Sequence, residues 1–407
     1  MANPLPPFGR PAAKKGAGFG ESLALMALMI SLVALSLDIM IPALSEIGKD
    51  LGVRHRNDAQ LVISILILGL SMGQIAYGPL SDQTGRKPAI FAGTIIFIMG
   101  CLMSILATQF PVMLAGRFVQ GLGAAGPRSV IVALIRDQYK GRSMARVMSA
   151  VMAVFIIVPA VAPALGQEIL LVAGWRAIFG TLMALASIAL AWFTIRQPET
   201  LPPERRVPFS TKGMVTGVVE ICTNRIALGY TLAAGMIAGA FIGYLNSAQQ
   251  IFQDLYNLGQ RFPLYLAILA LSIGSASFLN SRIVVQWGMR PLSRIAIRLL
   301  IVLSVVYAMA VYAMGESSPL WVLMAFFMAA FFCIGILFGN LNAIAMQPLG
   351  HIAGVGAAVV GSLSTLIAVP LAIVVGRSYN GTALPLVGGF AVLSIAAAVI
   401  MRWADSK

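Results

Sequence analysis

The chain has 407 residues, of which 59% are hydrophobic and only 10% are charged, and its formal net charge is +14. A soluble protein has too little interior to hide so much apolar surface, so this composition indicates a polytopic protein embedded in the lipid bilayer. The three cysteines and two histidines are scattered, so we expect no disulfide framework, metal site or cofactor. No nucleophile–base spacing occurs, which argues against an enzyme.

Twelve apolar runs long enough to cross a bilayer follow one another along the chain. The predicted fold is therefore all-α, with two six-helix bundles at residues 22–195 and 226–403. Residues 1–21 form a tail, 196–225 a linker rich in proline and arginine, and 404–407 a second tail. The predicted spans are 22–42, 59–80, 88–108, 111–136, 144–166, 174–195, 226–248, 262–283, 294–314, 319–341, 352–376 and 383–403.

Lysine and arginine are distributed unequally between the two membrane faces. If both termini lie on one face, the segments there carry 20 of these residues, the opposite loops carry 6, and 2 lie within the fourth span. Basic loops stay on the cytoplasmic side, so we predict that both termini are cytoplasmic. This distribution also argues against nucleic-acid binding as the reason for the positive charge. In the linker, Gly213–Cys222 is a candidate for a short amphipathic helix at the interface.

The first span contains Asp38, the only carboxylate that falls clearly within an apolar run. It lies four residues before Pro42, near the outer end of the span. An ionisable side chain inside the membrane is costly and is a functional candidate by default.

A short charged turn, Gly78-Pro-Leu-Ser-Asp-Gln-Thr-Gly-Arg-Lys-Pro88, separates the second and third spans. It cannot lie in hydrocarbon, so the helices on either side must end at a membrane face. The turn resembles motif A of the major facilitator superfamily, in which this cluster is a conformational latch between the two halves. The alternative is an ordinary basic cytoplasmic loop. The matching positions are Gly78, Leu80, Asp82, Gly85, Arg86 and Lys87.

The two halves of the chain also resemble each other. A shift of 203 residues places Gly85-Arg-Lys-Pro88 on Gly288-Met-Arg-Pro291, as a parallel six-plus-six repeat requires. Val285 occupies the position that corresponds to Asp82, so only the first turn keeps the acid.

The fourth span resembles motif B of the same superfamily through Arg117, Gln120 and Gly121. An arginine inside a span needs a partner, and Asp38 comes out at a similar depth at about 1.5 Å per residue. Such a pair can act as a proton switch, because the proton affinity of a carboxylate depends on its burial and on nearby charge. A static ion pair that holds two helices together is the alternative.

The fifth span carries Pro159, Pro163 and Gly166 and partly resembles motif C, the antiporter signature. Ala162-Pro163 stands in place of the usual Gly-Pro step, and Gly166-Gln167 in place of the closing glycine pair. Prolines four apart with small residues between them kink a helix and let another helix approach, which suits a gating element. A bent structural span is the alternative.

Several further polar side chains are candidates for lining a substrate cavity between the halves. Arg128 lies about 16 Å closer to the cytoplasm than Arg117, and it either lines this cavity or pairs with Asp137 or the headgroups. In the second half, amides in or near spans either contact substrate or bond helices to one another. With Asp38, the cavity candidates are Arg128, Tyr244, Asn246 and Asn342.

The three motifs, together with the stretches Gly174-Trp-Arg-Ala-Ile-Phe179 and Leu349-Gly-His-Ile-Ala-Gly354, resemble the Bcr/CflA type of drug exporter. This resemblance implies a transporter that exports small amphipathic compounds in exchange for protons. We expect it to be a monomer in the bacterial inner membrane. A proton-coupled importer of an organic nutrient or siderophore-like ligand is the alternative within transporters. A membrane sensor on the same fold is a remote one.

Overall fold

The computed structural model describes residues 18–139, 141–208, 211–314 and 318–406, which are helical almost throughout and contain no β-strand. The first half begins with α1 (Phe19–Asp38), which a short turn (Ile41–Ala43) connects to α2 (Leu44–Asp50). It continues with α3 (Leu61–Thr84), α4 (Arg86–Ile105), α5 (Phe110–Gln138) and α6 (Gly141–Arg196).

The second half begins after the linker turn Pro203–Arg205 with the short helix α7 (Thr211–Thr223). The spanning helices follow as α8 (Arg225–Gln249), α9 (Phe262–Trp287), α10 (Met289–Met314), α11 (Leu320–Met346), α12 (Ala353–Arg377) and α13 (Leu384–Asp405). A single π-helical turn, Gln250–Leu255, extends α8 at the end farthest from the chain termini, called the outer end below.

The helix α6 crosses the membrane twice, because Gly174 adopts φ 75° and ψ 174° and breaks it into two arms. Near the break, an added Cβ at Gly166 would lie 2.0 Å from the carbonyl oxygen of Ile39, at the outer end of α1. The second arm returns to the start of α1, where Arg196 pairs with Glu21 at 2.6 Å. The described residues include eleven apolar helical stretches long enough to span a membrane, and this break divides one of them. The predicted twelve-helix fold is confirmed.

The first span differs from its predicted end at residue 42. Helical structure resumes after the turn at Ile41–Ala43 and continues through α2 to Asp50. Proline at the start of a helical turn lacks only an N–H that would be unpaired there anyway, so Pro42 does not stop the chain from continuing as a helix.

The linker forms the predicted short helix, observed as α7, and this helix packs against α12. An added Cβ at Gly217 would meet Val355 of α12 at 2.6 Å, so the two helices are in close contact. Glu220 pairs with His351 at 2.8 Å, while Val215 and Val219 remain more than half exposed. The helix is therefore fixed to the second half on one face and presents apolar side chains on another.

Glycines let α3 and α5 pack with their backbones in direct contact. A Cβ added at Gly121 would lie 2.0 Å from the carbonyl oxygen of Leu66, and one added at Gly69 would lie 2.2 Å from that of Phe118. Only glycine permits such an approach, so the motif B glycine has a packing role.

We expect Gly121→Ala to destabilise the protein by about 1–3 kcal/mol, because the added methyl group forces the two helices apart. Thermal unfolding in detergent measures the change. Gly180→Ala is the matched control, since no heavy atom lies within 4 Å of its added Cβ. Alanine favours a helix over glycine by about 0.5–1 kcal/mol, so the control should be neutral or slightly more stable. Equal unfolding temperatures for the two variants would contradict the packing role.

The turns between α3 and α4 and between α9 and α10 have the same backbone form. Gly85 adopts φ 109° and ψ 162°, and Gly288 adopts φ 79° and ψ 157°. Both conformations lie in the region that favours glycine. The repeat found in the sequence is thus also a repeat of local structure.

Candidate functional site

An apolar cavity of about 230 Å³, called the central cavity below, lies between the two halves. The first half contributes the end of α1 with Asp38 and the proline pair of α6, Pro159 and Pro163. The second half contributes α8 with Tyr244 and residues of α9 and α11. A small molecule in this cavity would contact both halves at once.

Asp38 faces this cavity without a partner. Its side chain accepts no hydrogen bond and forms no ion pair with any described residue, although Asp38 is only 8% exposed. The hydroxyl of Tyr244 also has no hydrogen-bond partner in the described part of the chain, and the Asp38 carboxyl acts on it electrostatically. Buried polar groups are normally paired, so two unpaired groups at one cavity indicate a binding or coupling site.

The direct Asp38–Arg117 ion pair expected from the sequence is not formed. Arg117 is fully buried, and its guanidinium donates to the carbonyl oxygens of Ser36 at 2.8 Å and Val62 at 2.9 Å and to Gln120 Oε1 at 2.6 Å. Ser36 lies in the last turn of α1, where backbone carbonyls lack helical partners. Arg117 therefore caps the end of the helix that carries Asp38, two residues away, and leaves the carboxylate free.

Aromatic rings form one wall of the cavity. The ring of Tyr244 lies 4.6 Å from that of Phe331, in edge-to-face geometry. The ring of Phe241 lies 5.6 Å from those of Phe331 and Phe338. Flat apolar faces with one carboxylate and one hydroxyl suit an amphipathic organic molecule.

The outer face, opposite the chain termini, is closed by contacts between the halves. Asn57 donates to the carbonyl oxygens of Arg377 and Tyr379, each at 2.9 Å. Gln250 donates to Asn57 at 2.7 Å, and Arg377 pairs with Asp58 at 2.8 Å. These bonds join the short helical turn before α3, Arg56–Gln60, to the outer ends of α8 and α12.

The same seal continues inward along α3 and α8. Asn246 donates to the hydroxyl of Ser64 at 2.9 Å and to the carbonyl oxygen of Ala372 at 3.1 Å, and Gln60 donates to Gln250. Asn246, expected among the cavity residues, thus bonds helices across the two halves. Ser64 and the glutamine pair are functional candidates that the sequence analysis missed, because nothing in their local pattern predicts partners nearly 200 residues away.

On the face of the chain termini, a larger cavity of about 610 Å³ separates the halves. Arg128 lies in it with Gln74 and Asp82 from the first half, opposite Gly354 and Ala358 of α12. Arg128 therefore lines this larger cavity and not the central cavity that holds Asp38, so its role toward substrate stays a prediction. The other alternative, pairing with Asp137, is not formed, since Asp137 is bound by Arg86 at 2.9 Å.

The charged turn forms a cluster within the first half. Arg86, whose side chain is 9% exposed, bridges Asp82 at 2.5 Å and Asp137 at 2.9 Å. Lys87 donates to the carbonyl oxygen of Thr194 at 2.7 Å. Among the described residues, no hydrogen bond or ion pair joins Asp82, Arg86 or Lys87 to α12, so a polar latch between the halves is not formed in this structure. Gly78 and Asp82 line the cavity that separates the cluster from the second half.

Glu199 of the linker completes the cluster and was missed by the sequence analysis. Its carboxylate accepts the backbone N–H groups of Arg86 and Lys87, each at 3.0 Å, and so caps the N-terminus of α4. An added Cβ at Gly85 would lie 2.6 Å from this carboxylate, so glycine is required beside it. An acid at a helix N-terminus is stabilised by the helix dipole. The linker is thereby tied to the charged turn.

The pKa of Glu199 lies below its ordinary value of 4.5. Partial burial acts to raise this pKa, but the four backbone N–H groups that bind the carboxylate outweigh it. A carboxylate with a depressed folded-state pKa stabilises the fold above its unfolded pKa, and this contribution is lost as the pH falls through the folded pKa.

Glu199→Gln is expected to destabilise the protein by about 1 kcal/mol at pH 7, because the helix cap loses its charge. The difference between variant and wild type should begin to shrink as the pH falls below about 4.5, the pKa of the carboxyl in the unfolded chain, and should disappear below the lower folded-state pKa. Unfolding temperatures measured from pH 7 downward, to the lowest pH at which the protein stays folded, check both statements. Glu204→Gln, in the exposed part of the linker, is the control and should unfold as wild type does. A pH-independent difference would contradict the assigned role.

The remaining predicted residues fall into separate roles. Pro159 and Pro163 line the central cavity, and Gly166 provides the close contact between α6 and the end of α1. Asn342 donates to the carbonyl oxygen of Phe338 on its own helix, at 2.9 Å. The described residues contain no group of histidine, cysteine and acidic side chains that could hold a metal ion.

Comparisons with known proteins agree with this architecture. The chain is 30% identical to the uncharacterized MFS-type transporter YdgK of Bacillus subtilis over 89% of its length and 90% of that protein. It is 28% identical to a bicyclomycin resistance protein homolog of Haemophilus influenzae, over 88% of this chain and 90% of that one. A crystal structure of the peptide transporter POT with sulfate shares the fold, with a TM-score of 0.76 at 14% identity, over 96% of this chain and 95% of the other. Residues 26–373 match the Major Facilitator Superfamily, and the chain belongs to this family of membrane transporters.

Proposed function

We propose that this protein is a proton-coupled antiporter that exports small amphipathic compounds through the central cavity. The observation that carries the proposal is the unpartnered, buried carboxylate of Asp38 beside the equally unpartnered hydroxyl of Tyr244. The aromatic wall supports an amphipathic substrate, and the similarity to a bicyclomycin resistance protein homolog supports drug efflux.

We further propose that both termini are cytoplasmic in a bacterial inner membrane, which the excess of basic residues on that side supports. In this orientation the seal around Asn57 and Gln250 is periplasmic, and the cavity at Arg128 opens toward the cytoplasm. A compound entering from the cytoplasm would pass Arg128 before reaching Asp38.

The coupling follows from a competition at Asp38. When the carboxylate is ionised, polar groups of the substrate bind it in place of the protein partners that Asp38 lacks. When the seal opens and Asp38 takes a proton from the outside, these interactions weaken and the substrate leaves. Release of the proton to the cytoplasm restores the first state. Arg117 takes part as a positioning residue, because it holds the end of α1 in place without neutralising the carboxylate.

Transport by purified protein in liposomes with an imposed pH gradient tests the proposal. With an acidic lumen, an exported compound added outside should raise the luminal pH, because protons leave in exchange for it. The panel should contain bicyclomycin and amphipathic compounds of positive, neutral and zwitterionic character. Proton movement in the same direction as the compound would indicate an importer instead, and no flux with any compound would contradict a transport function.

A further inference from the structure

A groove of about 590 Å³ lies between α10 and α13, apart from both cavities described above. The two helices are antiparallel neighbours, and the groove reaches the face that holds the chain termini. Its lining is divided, with charged residues toward that face and aliphatic residues deeper.

The charged end carries an uncompensated positive charge. The one acid in the groove, Asp405, is already bound by Arg294 at 2.7 Å and by the hydroxyl of Tyr230 at 3.0 Å. Arg298 and Arg402 also line the groove, and both are exposed. Neither guanidinium forms a hydrogen bond or ion pair with any residue that the structure describes.

The deeper part of the groove is aliphatic and open. Ile395 and Val399 on α13 are 43% and 63% exposed, and Ile301 on α10 lies one turn deeper than Arg298. Arg294 pairs with Asp405 at the end of α13, so Arg298 and Arg402 each lie about one helical turn in from the face of the chain termini. The groove thus pairs two guanidinium groups near the membrane face with apolar side chains within the membrane.

We propose that this groove binds an anionic phospholipid from the leaflet on the side of the chain termini. The phosphate lies between Arg298 and Arg402, and one acyl chain follows Ile301, Ile395 and Val399. Guanidinium groups bind phosphate in bidentate fashion, and basic pockets between spanning helices select anionic headgroups. A zwitterionic lipid should bind more weakly, because its headgroup places a positively charged ammonium group beside the same arginines. The inference does not depend on the direction of transport.

Native mass spectrometry of the full-length protein, titrated with phosphatidylglycerol or phosphatidylcholine, tests this site. The wild type should retain phosphatidylglycerol in preference to phosphatidylcholine. The variant Arg298→Gln/Arg402→Gln should bind phosphatidylglycerol about 25-fold more weakly, since each arginine near the membrane surface contributes roughly a factor of five. The control Arg205→Gln/Arg282→Gln removes the same charge outside the groove and should bind as wild type does.

A second variant separates the lipid from a free phosphate. Ala398→Phe keeps both arginines but fills the aliphatic part of the groove, so it should also weaken retention of phosphatidylglycerol. Equal retention of the two lipids by wild type, or equal binding by the arginine variant and its control, would overturn the proposal. Wild-type binding by a correctly folded Ala398→Phe would show that no acyl chain occupies the groove, which overturns it as well.

Discussion

Asp38→Asn is expected to abolish proton-coupled transport in liposomes, reducing substrate-driven proton flux at least about tenfold, to the background of empty vesicles. Asparagine keeps the size and polarity of the side chain but cannot exchange a proton. Asp38 is the only carboxylate among the described residues that line the central cavity, so no other acid there can take over this role. A pH-sensitive dye inside the vesicles and radiolabelled substrate outside measure the two fluxes.

The same substitution should not unfold the protein. An unpaired ionised carboxylate in an apolar site costs free energy, and its removal leaves no partner behind. We therefore expect Asp38→Asn to unfold at the wild-type temperature or slightly above it, unlike a substitution in a structural ion pair. Loss of transport with unchanged or raised stability is the combination that identifies a coupling residue rather than a packing residue.

Glu168→Gln is the matched control for this experiment. Glu168 is also a carboxylate of the first half, but it is exposed and has no described ion pair. Its neutralisation should leave transport unchanged. Full coupled transport by Asp38→Asn, or an equal loss of transport with Glu168→Gln, would contradict the assignment of Asp38 as the coupling residue.

Much of this architecture is predictable from the sequence because membrane insertion imposes strong local rules. The lengths of the apolar runs predict the twelve helices. Asp38 stands out because it is the only carboxylate that falls clearly within one of these runs. Comparable depth in the membrane also predicts that Arg117 lies near the end of α1, and it does. Depth in the membrane cannot predict which acceptor the guanidinium binds. The carbonyl oxygens at a helix end are backbone atoms, so no pattern of side chains in the sequence marks them as acceptors.

The capping of α4 by Glu199 illustrates a second limit. The charged turn and the linker are separated by more than a hundred residues, and a lone glutamate in a proline-rich segment has no periodicity or spacing that points to a partner. The same holds for Ser64 and Asn246, which meet only because α3 and α8 face each other across the two halves. Contacts between the halves form in one conformational state and break in another. The same sequence supports every state, so it does not indicate which of these contacts form in a given state.

Cross-linking Ser64→Cys to Asn246→Cys is expected to stop transport. These side chains are in hydrogen-bond contact, at 2.9 Å, on opposite sides of the outer seal. Alternating access requires α3 and α8 to separate there, so a covalent link should hold the protein in the state described here and reduce flux to background. Reduction of the link should restore it. Cys222 is exposed and should first be replaced by serine, while Cys101 and Cys333 are buried.

The chain offers a matched control in Asn280→Cys/Asn340→Cys. These two amides bond to each other at 3.0 Å, but α9 and α11 belong to the same half. If each half moves largely as a rigid body, a link within one half does not oppose the motion, and transport should continue after oxidation. Full transport by the cross-linked Ser64–Asn246 pair, with the link verified by mass spectrometry, would show that the outer seal does not open during the cycle. Inhibition by both links would instead mean that the second half must change its internal structure during transport. The comparison of the two pairs therefore distinguishes a rocking motion of the halves from a rearrangement within one of them.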